Sequence, residues 1–211
     1  MTDDLIADAV AFAESANPRC MLGLAGAPAA GKSTLAKGLV AGVNERLGEN
    51  AAAYLPMDGF HLSNRQLDRL GLRSRKGSPP SFDIHGYLAL LRRVLTESDH
   101  AVYVPDYDRA LHEAVAAGLV VLPETKLVIT EGNYLASDEP VWRDIRSVLH
   151  ELWYVDAPDA VREARLAARQ VAAGKSPEQA QAWVVSNDRP NGELVKESRR
   201  RCSRVVRSGP Y

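Results

Sequence analysis

The stretch Gly26-Ala27-Pro28-Ala29-Ala30-Gly31-Lys32-Ser33 decides the fold of this chain. It matches the pattern G-x-x-x-x-G-K-[ST] at every fixed position, and it lies between an apolar run (21–25) and a stretch with helical spacing (32–47). In such a loop the glycines let backbone N–H groups surround an anion, and the following helix N-terminus adds a favourable dipole. The pattern predicts a phosphate-binding loop, the P-loop (residues 26–33), and a bound nucleoside triphosphate.

The P-loop residues have predicted roles toward ATP and Mg²⁺. Lys32 is expected to place its charge on the β- and γ-phosphates, and Ser33 to offer an oxygen to Mg²⁺. The predicted nucleotide-binding set is Gly26, Ala27, Pro28, Ala29, Ala30, Gly31, Lys32 and Ser33, with Thr34 directly after them.

The organisation outside the P-loop predicts one α/β domain. Short apolar runs at 21–25, 52–57, 126–130 and 151–155 alternate with helical patterns at 32–47, 84–95 and 160–173. This alternation is typical of crossover βαβ units, so we expect a P-loop NTPase fold with a mainly parallel β-sheet flanked by helices on both faces. Because no repeat or flexible linker divides the chain, we predict a single domain over residues 1–211.

Composition narrows the classes of partner. A formal net charge of −1 argues against nucleic acid or an anionic membrane as a partner. Cys20 and Cys202 show no metal-ligand spacing, which is typical of a reducing compartment. No apolar run approaches the roughly 18 residues of a membrane span, and the N-terminus is acidic where a signal peptide is basic. We therefore predict a cytoplasmic protein.

The sequence argues against a P-loop GTPase. A GTPase would carry an N-K-x-D guanine motif, and this sequence has none. Asp83-Ile84-His85-Gly86 spells D-x-x-G but follows Pro79-Pro80 rather than an apolar strand, so we interpret it as coincidence.

Two carboxylates at strand ends favour a kinase. Asp58 ends the second apolar run and Glu131 ends the third. The carboxyl ends of parallel strands face the ligand crevice, and phosphoryl transfer needs a carboxylate to accept the hydroxyl proton and acidic groups near Mg²⁺. The alternative for each acid is that it only caps the following helix.

Four blocks following the P-loop carry a resemblance to a known family. They are Met57-Asp58-Gly59-Phe60-His61-Leu62, Arg75-Lys76-Gly77-Ser78-Pro79, Tyr107-Asp108-Arg109 and Thr130-Glu131-Gly132-Asn133-Tyr134-Leu135. With them, the chain resembles the uridine kinase, phosphoribulokinase and pantothenate kinase superfamily over residues 21–206. It is most similar to a bacterial branch of nucleoside/nucleotide kinase-like proteins, some labelled fructose transport system kinases.

The resemblance implies roles for individual residues. Asp58 would be the catalytic base, and Glu131 would serve the Mg²⁺ shell with Ser33. The implied acceptor pocket is bordered by Tyr107, Asp108, Arg109 and Tyr134, and Asn191 would lie on the adenine side. His61 follows the base and could contact acceptor or nucleotide, a structural role being the alternative. The chain lacks the complete uridine-binding and pantothenate-binding patterns, so the resemblance leaves the acceptor open.

Basic residues supply the remaining hypotheses. Arg162, Arg165 and Arg169 recur on one face of a predicted helix. In kinases of this shape such a segment (here about 160–190) is a lid over the transferring phosphate, and Arg165 and Arg169 match the R-L-x-x-R pattern of the family. The alternative is a solvated basic face. We also expect a polar turn at 187–192, and a basic helix end formed by the C-terminal arginines 199–207.

The long loop 71–82 carries Arg73, Arg75 and Lys76, which either bind a phosphate on the acceptor or are simply solvated.

Taken together, the sequence predicts an ATP-dependent small-molecule kinase that transfers the γ-phosphoryl group of Mg·ATP to a hydroxyl of a sugar, polyol or nucleoside. The competing hypothesis is a regulatory ATP-binding module without turnover. The expected partner is a small hydroxyl acceptor, with neither nucleic acid nor membrane, and a homodimer is one option for assembly.

Overall fold

The computed structural model describes residues 2–207. The helices are α1 Thr2–Ser15, α2 Lys32–Leu47, α3 Asn64–Arg69, α4 Ile84–Thr96, α5 Pro140–Ser147, α6 Asp159–Ala172, α7 Pro177–Trp183 and α8 Arg189–Lys196. The strands are β1 Cys20–Ala25, β2 Ala52–Pro56, β3 Val102–Asp108, β4 Glu113–Val121, β5 Leu127–Gly132, β6 Glu151–Asp156 and β7 Arg204–Arg207. Within residues 2–207 no helix has both the length and the apolar character needed to cross a bilayer.

The main sheet has five strands in the order β2-β5-β1-β6-β7, all parallel. β1 and β5 are buried along their whole length, as expected for central strands covered on both faces. This arrangement confirms the predicted α/β fold, and it brings the carboxyl ends of β1, β2 and β5 to one edge.

Helices cover both faces of this sheet. Leu5 of α1 and Leu39 of α2 belong to the core cluster on one face, and Leu91 of α4 and Trp142 of α5 to the cluster on the other. At the start of α4, the Asp83 carboxylate accepts a hydrogen bond from the backbone N–H of Gly86 at 2.9 Å. The D-x-x-G sequence is therefore a helix cap here.

Three strands, β3, β4 and β7, were not predicted. β3 and β4 form an antiparallel hairpin separate from the main sheet, with an irregular register between Val104 and Asp106. The Asp108 carboxylate shapes the tip of the hairpin by accepting hydrogen bonds from the backbone N–H groups of Ala110 and Leu111.

β7 pairs with β6, so the interpretation of the C-terminal arginines as one basic helix end was wrong for Arg204 and Arg207. The burial of Val206 holds this short edge strand.

The predicted polar turn at 187–192 was also wrong. A π-helical segment, Val184–Asp188, runs directly into α8. Pro190 lies in the first turn of α8, directly after this segment. The chain therefore stays helical from α7 to α8, across the end of the predicted lid.

Candidate active site

The P-loop makes a tight connection between β1 and α2. Gly26 has a φ of 151°, and a Cβ there would lie 2.4 Å from the carbonyl oxygen of Val155 in β6, so a side chain has no room. Ala29 has a φ of 60°, which is uncommon for a residue other than glycine. The backbone N–H of Ala30 donates to the Ala27 carbonyl at 3.1 Å. Such strained backbone is typical of ligand-binding loops.

Lys32 lies at the bottom of this loop and is buried. Its ammonium donates to the Ala27 carbonyl at 3.1 Å and to Oδ1 of Asn133 at 2.8 Å. Desolvation lowers the pKa of Lys32, while the negative charges of Glu131 and Asp58 oppose that change. The lysine is thus held by neutral oxygens that a phosphate could replace.

Glu131, at the end of β5, lies beside Ser33. One carboxylate oxygen, Oε1, accepts hydrogen bonds from Ser33 Oγ at 2.8 Å and from the Tyr54 hydroxyl at 2.7 Å. Burial raises the pKa of Glu131, the charge of Asp58 adds to this effect, and Lys32 opposes it. The two residues predicted for Mg²⁺, Ser33 and Glu131, are therefore in direct contact.

Asp58 lies in a 3₁₀-helical turn, Met57–Phe60, directly after β2. Its side chain is 31% exposed, and its carboxylate is 3.8 Å from the Arg109 guanidinium and 3.9 Å from Nδ1 of His61. Pro56, the last residue of β2, lies opposite Glu131 in the sheet, so Asp58 follows at the same edge as Glu131. Unlike Glu131, Asp58 remains accessible to a ligand.

His61 and Arg109 lie close to Asp58, and Tyr107 packs against His61; their contact with an acceptor stays a prediction. The His61 ring lies 4.0 Å from the ring of Phe82 and 5.0 Å from that of Tyr107. His61 Nδ1 is 3.0 Å from the Asp58 carbonyl, which can only accept, so this nitrogen carries a proton. Burial disfavours the charged form of both side chains, so it lowers the pKa of His61 and raises the pKa of Tyr107 to about 12. These rings form a largely neutral wall.

Tyr134 lies behind this wall. It is 2% exposed, and its hydroxyl donates to the Gly77 carbonyl at 2.7 Å. Its ring packs against Trp142 at 5.6 Å. Tyr134 thus anchors the 71–82 loop, and a direct contact with substrate has no support in this geometry.

Two of the basic residues of the 71–82 loop, Arg73 and Lys76, have protein partners. Arg73 pairs with Asp68 at 3.2 Å on the surface. The Lys76 ammonium donates to Oδ1 of Asn64 at 2.8 Å and to the His112 carbonyl at 2.6 Å. Lys76 therefore ties this loop to α3 and to the tip of the hairpin, which favours a structural role over binding a phosphate on the acceptor.

The arginines of α6 face the P-loop. Arg162 is buried and donates to the Pro28 carbonyl at 3.3 Å, and Arg165 donates to the Ala29 carbonyl at 3.2 Å. The pKa of Arg169 is lowered by desolvation and by the nearby charge of Arg109, while Asp58 opposes this change. Arg162 and Arg165 thus contact the P-loop backbone, and Arg169 lies one turn further along the same helix.

Asn191 lies in the first turn of α8, which directly follows the π-helical segment Val184–Asp188. A Cβ on its neighbour Gly192 would be 3.0 Å from the Arg162 guanidinium, so α8 packs closely on the base of the predicted lid. The role of Asn191 toward adenine stays a prediction.

Sequence reasoning missed two residues that complete the buried cluster. Asn133 lies in the block 130–135, two positions after Glu131, but it was given no role although its amide oxygen holds Lys32. Tyr54 is the single hydroxyl-bearing residue of β2 (AAYLP). Because a tyrosine hydroxyl inside a protein usually has a hydrogen-bond partner, a tyrosine in an otherwise apolar strand could have indicated a polar contact there.

The residues present fit Mg²⁺ and ATP. Within residues 2–207 there is no group of three or more His, Cys, Asp or Glu side chains that could hold a metal ion alone. Mg²⁺ in kinases uses one or two protein oxygens together with waters and substrate phosphates. Ser33 and Glu131 are such a pair, next to a loop with no room for a side chain at Gly26.

The chain is similar to proteins of known sequence and structure. No family model matches the chain. It is 35% identical over 160 residues to "Putative uridine kinase C227.14" of Schizosaccharomyces pombe, covering 74% of this chain and 68% of that protein. It is 34% identical over 199 residues to "Uncharacterized protein YggC" of Escherichia coli, covering 93% of this chain and 82% of that one. A crystal structure described as a "putative fructose transport system kinase" from Silicibacter superposes with a TM-score of 0.87 at 34% identity, covering 98% of both chains.

The chain belongs to the uridine kinase, phosphoribulokinase and pantothenate kinase superfamily of P-loop kinases. This membership confirms the resemblance drawn from the four sequence blocks. Two of these relatives are named as putative kinases, one of uridine and one of a fructose transport system, and the third has no functional name, so no single acceptor follows from them.

Proposed function

We propose that this superfamily member is an ATP-dependent small-molecule kinase that transfers the γ-phosphoryl group to a hydroxyl of a sugar, polyol or nucleoside. The observation that carries the proposal is the position of Asp58. Its carboxylate is partly exposed at the edge of the sheet where Glu131 lies, 3.8 Å from the Arg109 guanidinium and 3.9 Å from Nδ1 of His61. A carboxylate so placed can orient a hydroxyl and accept its proton.

Each group in the cleft would have a role in the proposed phosphoryl transfer. The acceptor oxygen attacks the γ-phosphorus while its proton moves to Asp58, and the bond from that phosphorus to the oxygen bridging to the β-phosphate breaks to release ADP. Lys32, Arg165 and Arg169 offset the charge on the phosphates. Ser33 and Glu131 would hold Mg²⁺, which supplies further charge neutralisation when bound.

The acceptor would lie between Asp58 and the aromatic wall. His61 and Tyr107 offer ring surfaces there, and Arg109 offers a guanidinium with a side chain that is 61% exposed. These groups suit a small polar molecule with at least one free hydroxyl. Asn191 is proposed to lie on the opposite, adenine side.

The test is ADP release with Mg·ATP across a panel of ketoses, aldoses, polyols and nucleosides. In the presence of the best acceptor, Asp58→Asn should lower acceptor-dependent ADP release by a factor of about 10² or more, because a general base contributes on that scale. Its affinity for ATP should stay within about threefold, since ATP contacts come from the P-loop. Asp68→Asn, at an exposed surface pair, is the matched control.

A fully active Asp58→Asn enzyme would remove the assignment of the base. Tight ATP binding with no response to any acceptor would instead favour the regulatory ATP-binding module.

A further inference from the structure

Tyr54 contacts the metal-side carboxylate from a neighbouring strand. β2 and β5 pair so that Tyr54 lies opposite Ile129 and Pro56 opposite Glu131. From this position the Tyr54 hydroxyl reaches Oε1 of Glu131 at 2.7 Å, the same oxygen that accepts from Ser33 at 2.8 Å. Two hydroxyl donors therefore converge on one carboxylate oxygen, and in residues 2–207 no comparable hydrogen bond reaches Oε2.

This convergence constrains both partners. A glutamate side chain has three rotatable bonds, and one hydrogen bond from Ser33 would leave its carboxylate free to exchange the two oxygens. The second donor fixes which oxygen Ser33 contacts. Because the Ser33 hydroxyl then donates its hydrogen bond to Oε1, the lone pairs of its own oxygen remain available for a cation.

Tyr54 is itself held in place. Its ring packs against the core cluster beneath α2, and the Lys37 ammonium lies 5.3 Å from the ring centroid. A hydroxyl carried by a paired strand is a more rigid support than one carried by a loop.

We propose that Tyr54 is a positioning residue for Mg²⁺ binding: its hydroxyl locks Glu131 so that Oε2 and the Ser33 oxygen are both presented to the ion. This inference rests on the proposed function, because it concerns the metal that accompanies ATP. Partners that orient a metal ligand from behind typically change metal affinity 10- to 100-fold when they are removed.

The experiment uses Tyr54→Phe, which removes one oxygen and keeps the ring. Mn²⁺ binding to the ATP-saturated protein is measured from the electron paramagnetic resonance signal of free Mn²⁺, and ATP binding without metal is measured by calorimetry in EDTA. We expect Mn²⁺ affinity to fall about tenfold and metal-free ATP affinity to stay within about twofold, since the Tyr54 hydroxyl interacts with the side chains of Glu131 and Ser33 and not with the P-loop backbone or Lys32. Tyr103→Phe, on a side chain that is 63% exposed in β3, should change neither quantity.

A double-mutant cycle with Glu131→Gln makes the test specific. If Tyr54 acts through Glu131, Tyr54→Phe should change Mn²⁺ affinity less than about twofold in the Glu131→Gln background. Unchanged Mn²⁺ affinity in Tyr54→Phe, or an equal loss of metal-free ATP affinity, would overturn the inference. A wild-type protein that binds no ATP with or without metal would instead contradict the proposed function.

Discussion

The proposed nucleotide side and the proposed acceptor side of the cleft are built in different ways. The nucleotide side comes largely from one contiguous loop, residues 26–33, and its charged groups are nearly inaccessible: Lys32 is 6% exposed and Glu131 is 4% exposed. The acceptor side is assembled from the turn after β2, the 71–82 loop and the β3–β4 hairpin, and its charged side chains are more open, 31% for Asp58 and 61% for Arg109.

This contrast fits the two ligands. A phosphate-binding loop holds the same chemical group whatever the acceptor, so a buried, hydrogen-bonded cluster can be fixed around it. An acceptor varies between relatives, and separate segments on a common scaffold can change without disturbing the phosphate site. We therefore expect substitutions on the two sides to affect different steps.

The largest effect should come from Lys32→Ala on the nucleotide side. It removes a buried cation that the phosphates would contact, so turnover should fall by a factor of about 10² to 10³, the scale of one lost transition-state donor. ATP affinity should weaken as well, in contrast to Asp58→Asn. Steady-state ADP release and calorimetric ATP binding measure both, with the exposed Lys126→Ala as control. Unchanged ATP affinity would count against the phosphate cradle.

A smaller effect confined to the acceptor side is expected for Gly59→Ala. A Cβ at Gly59 would lie 2.2 Å from the carbonyl oxygen of Pro105, so the hairpin must move away from the turn that carries Asp58. The free energy of unfolding should fall by about 1–3 kcal/mol, as for other overpacked sites. The KM for the acceptor should rise severalfold, while ATP affinity stays within about twofold.

Gly38→Ala is the matched control, because no atom lies within 4 Å of its Cβ position on α2. That change should be neutral or slightly stabilising. A Gly59→Ala protein with wild-type stability and acceptor KM would show that the close approach to the hairpin does not position Asp58.

The smallest effect concerns Asp188, where the end of the predicted lid meets the 71–82 loop. Asn187 donates to the Lys76 carbonyl at 3.3 Å, while Asp188 is 9% exposed and its Oδ2 is buried without a hydrogen-bond partner. Desolvation raises the pKa of Asp188 to about 6 from 3.8, with Lys175 and Arg169 opposing. Folding therefore favours the protonated acid, and the destabilisation grows as the pH rises from about 4 to above 6.

Asp188→Asn should accordingly stabilise the protein by about 1–2 kcal/mol at pH 8 and by almost nothing at pH 4. Thermal unfolding across this pH range measures the difference between the variant and the wild type. Asp144→Asn, on an exposed position of α5, should show no such trend. Curves for Asp188→Asn and wild type that stay parallel over the whole range would contradict the desolvation account.

The sequence by itself determined the P-loop, the mainly parallel sheet, and the placement of Asp58 and Glu131 at the edge of that sheet. These features depend on local rules: a contiguous glycine-rich pattern sets the loop, and the apolar runs set the strands whose carboxyl ends carry the acids. Family blocks added His61, Tyr107 and Arg109, which the structure brings together around Asp58.

Only the tertiary structure decided which side chains meet across the cleft. Tyr54 and Glu131 are 77 positions apart, and Lys32 and Asn133 are 101 apart, so their contacts depend on the order and register of β2, β5 and β1. The position of Tyr134 behind the pocket and the π-helical segment before α8 follow from packing as well. Local patterns carry no information about such pairings, because each is selected by the free energy of burying both partners at once.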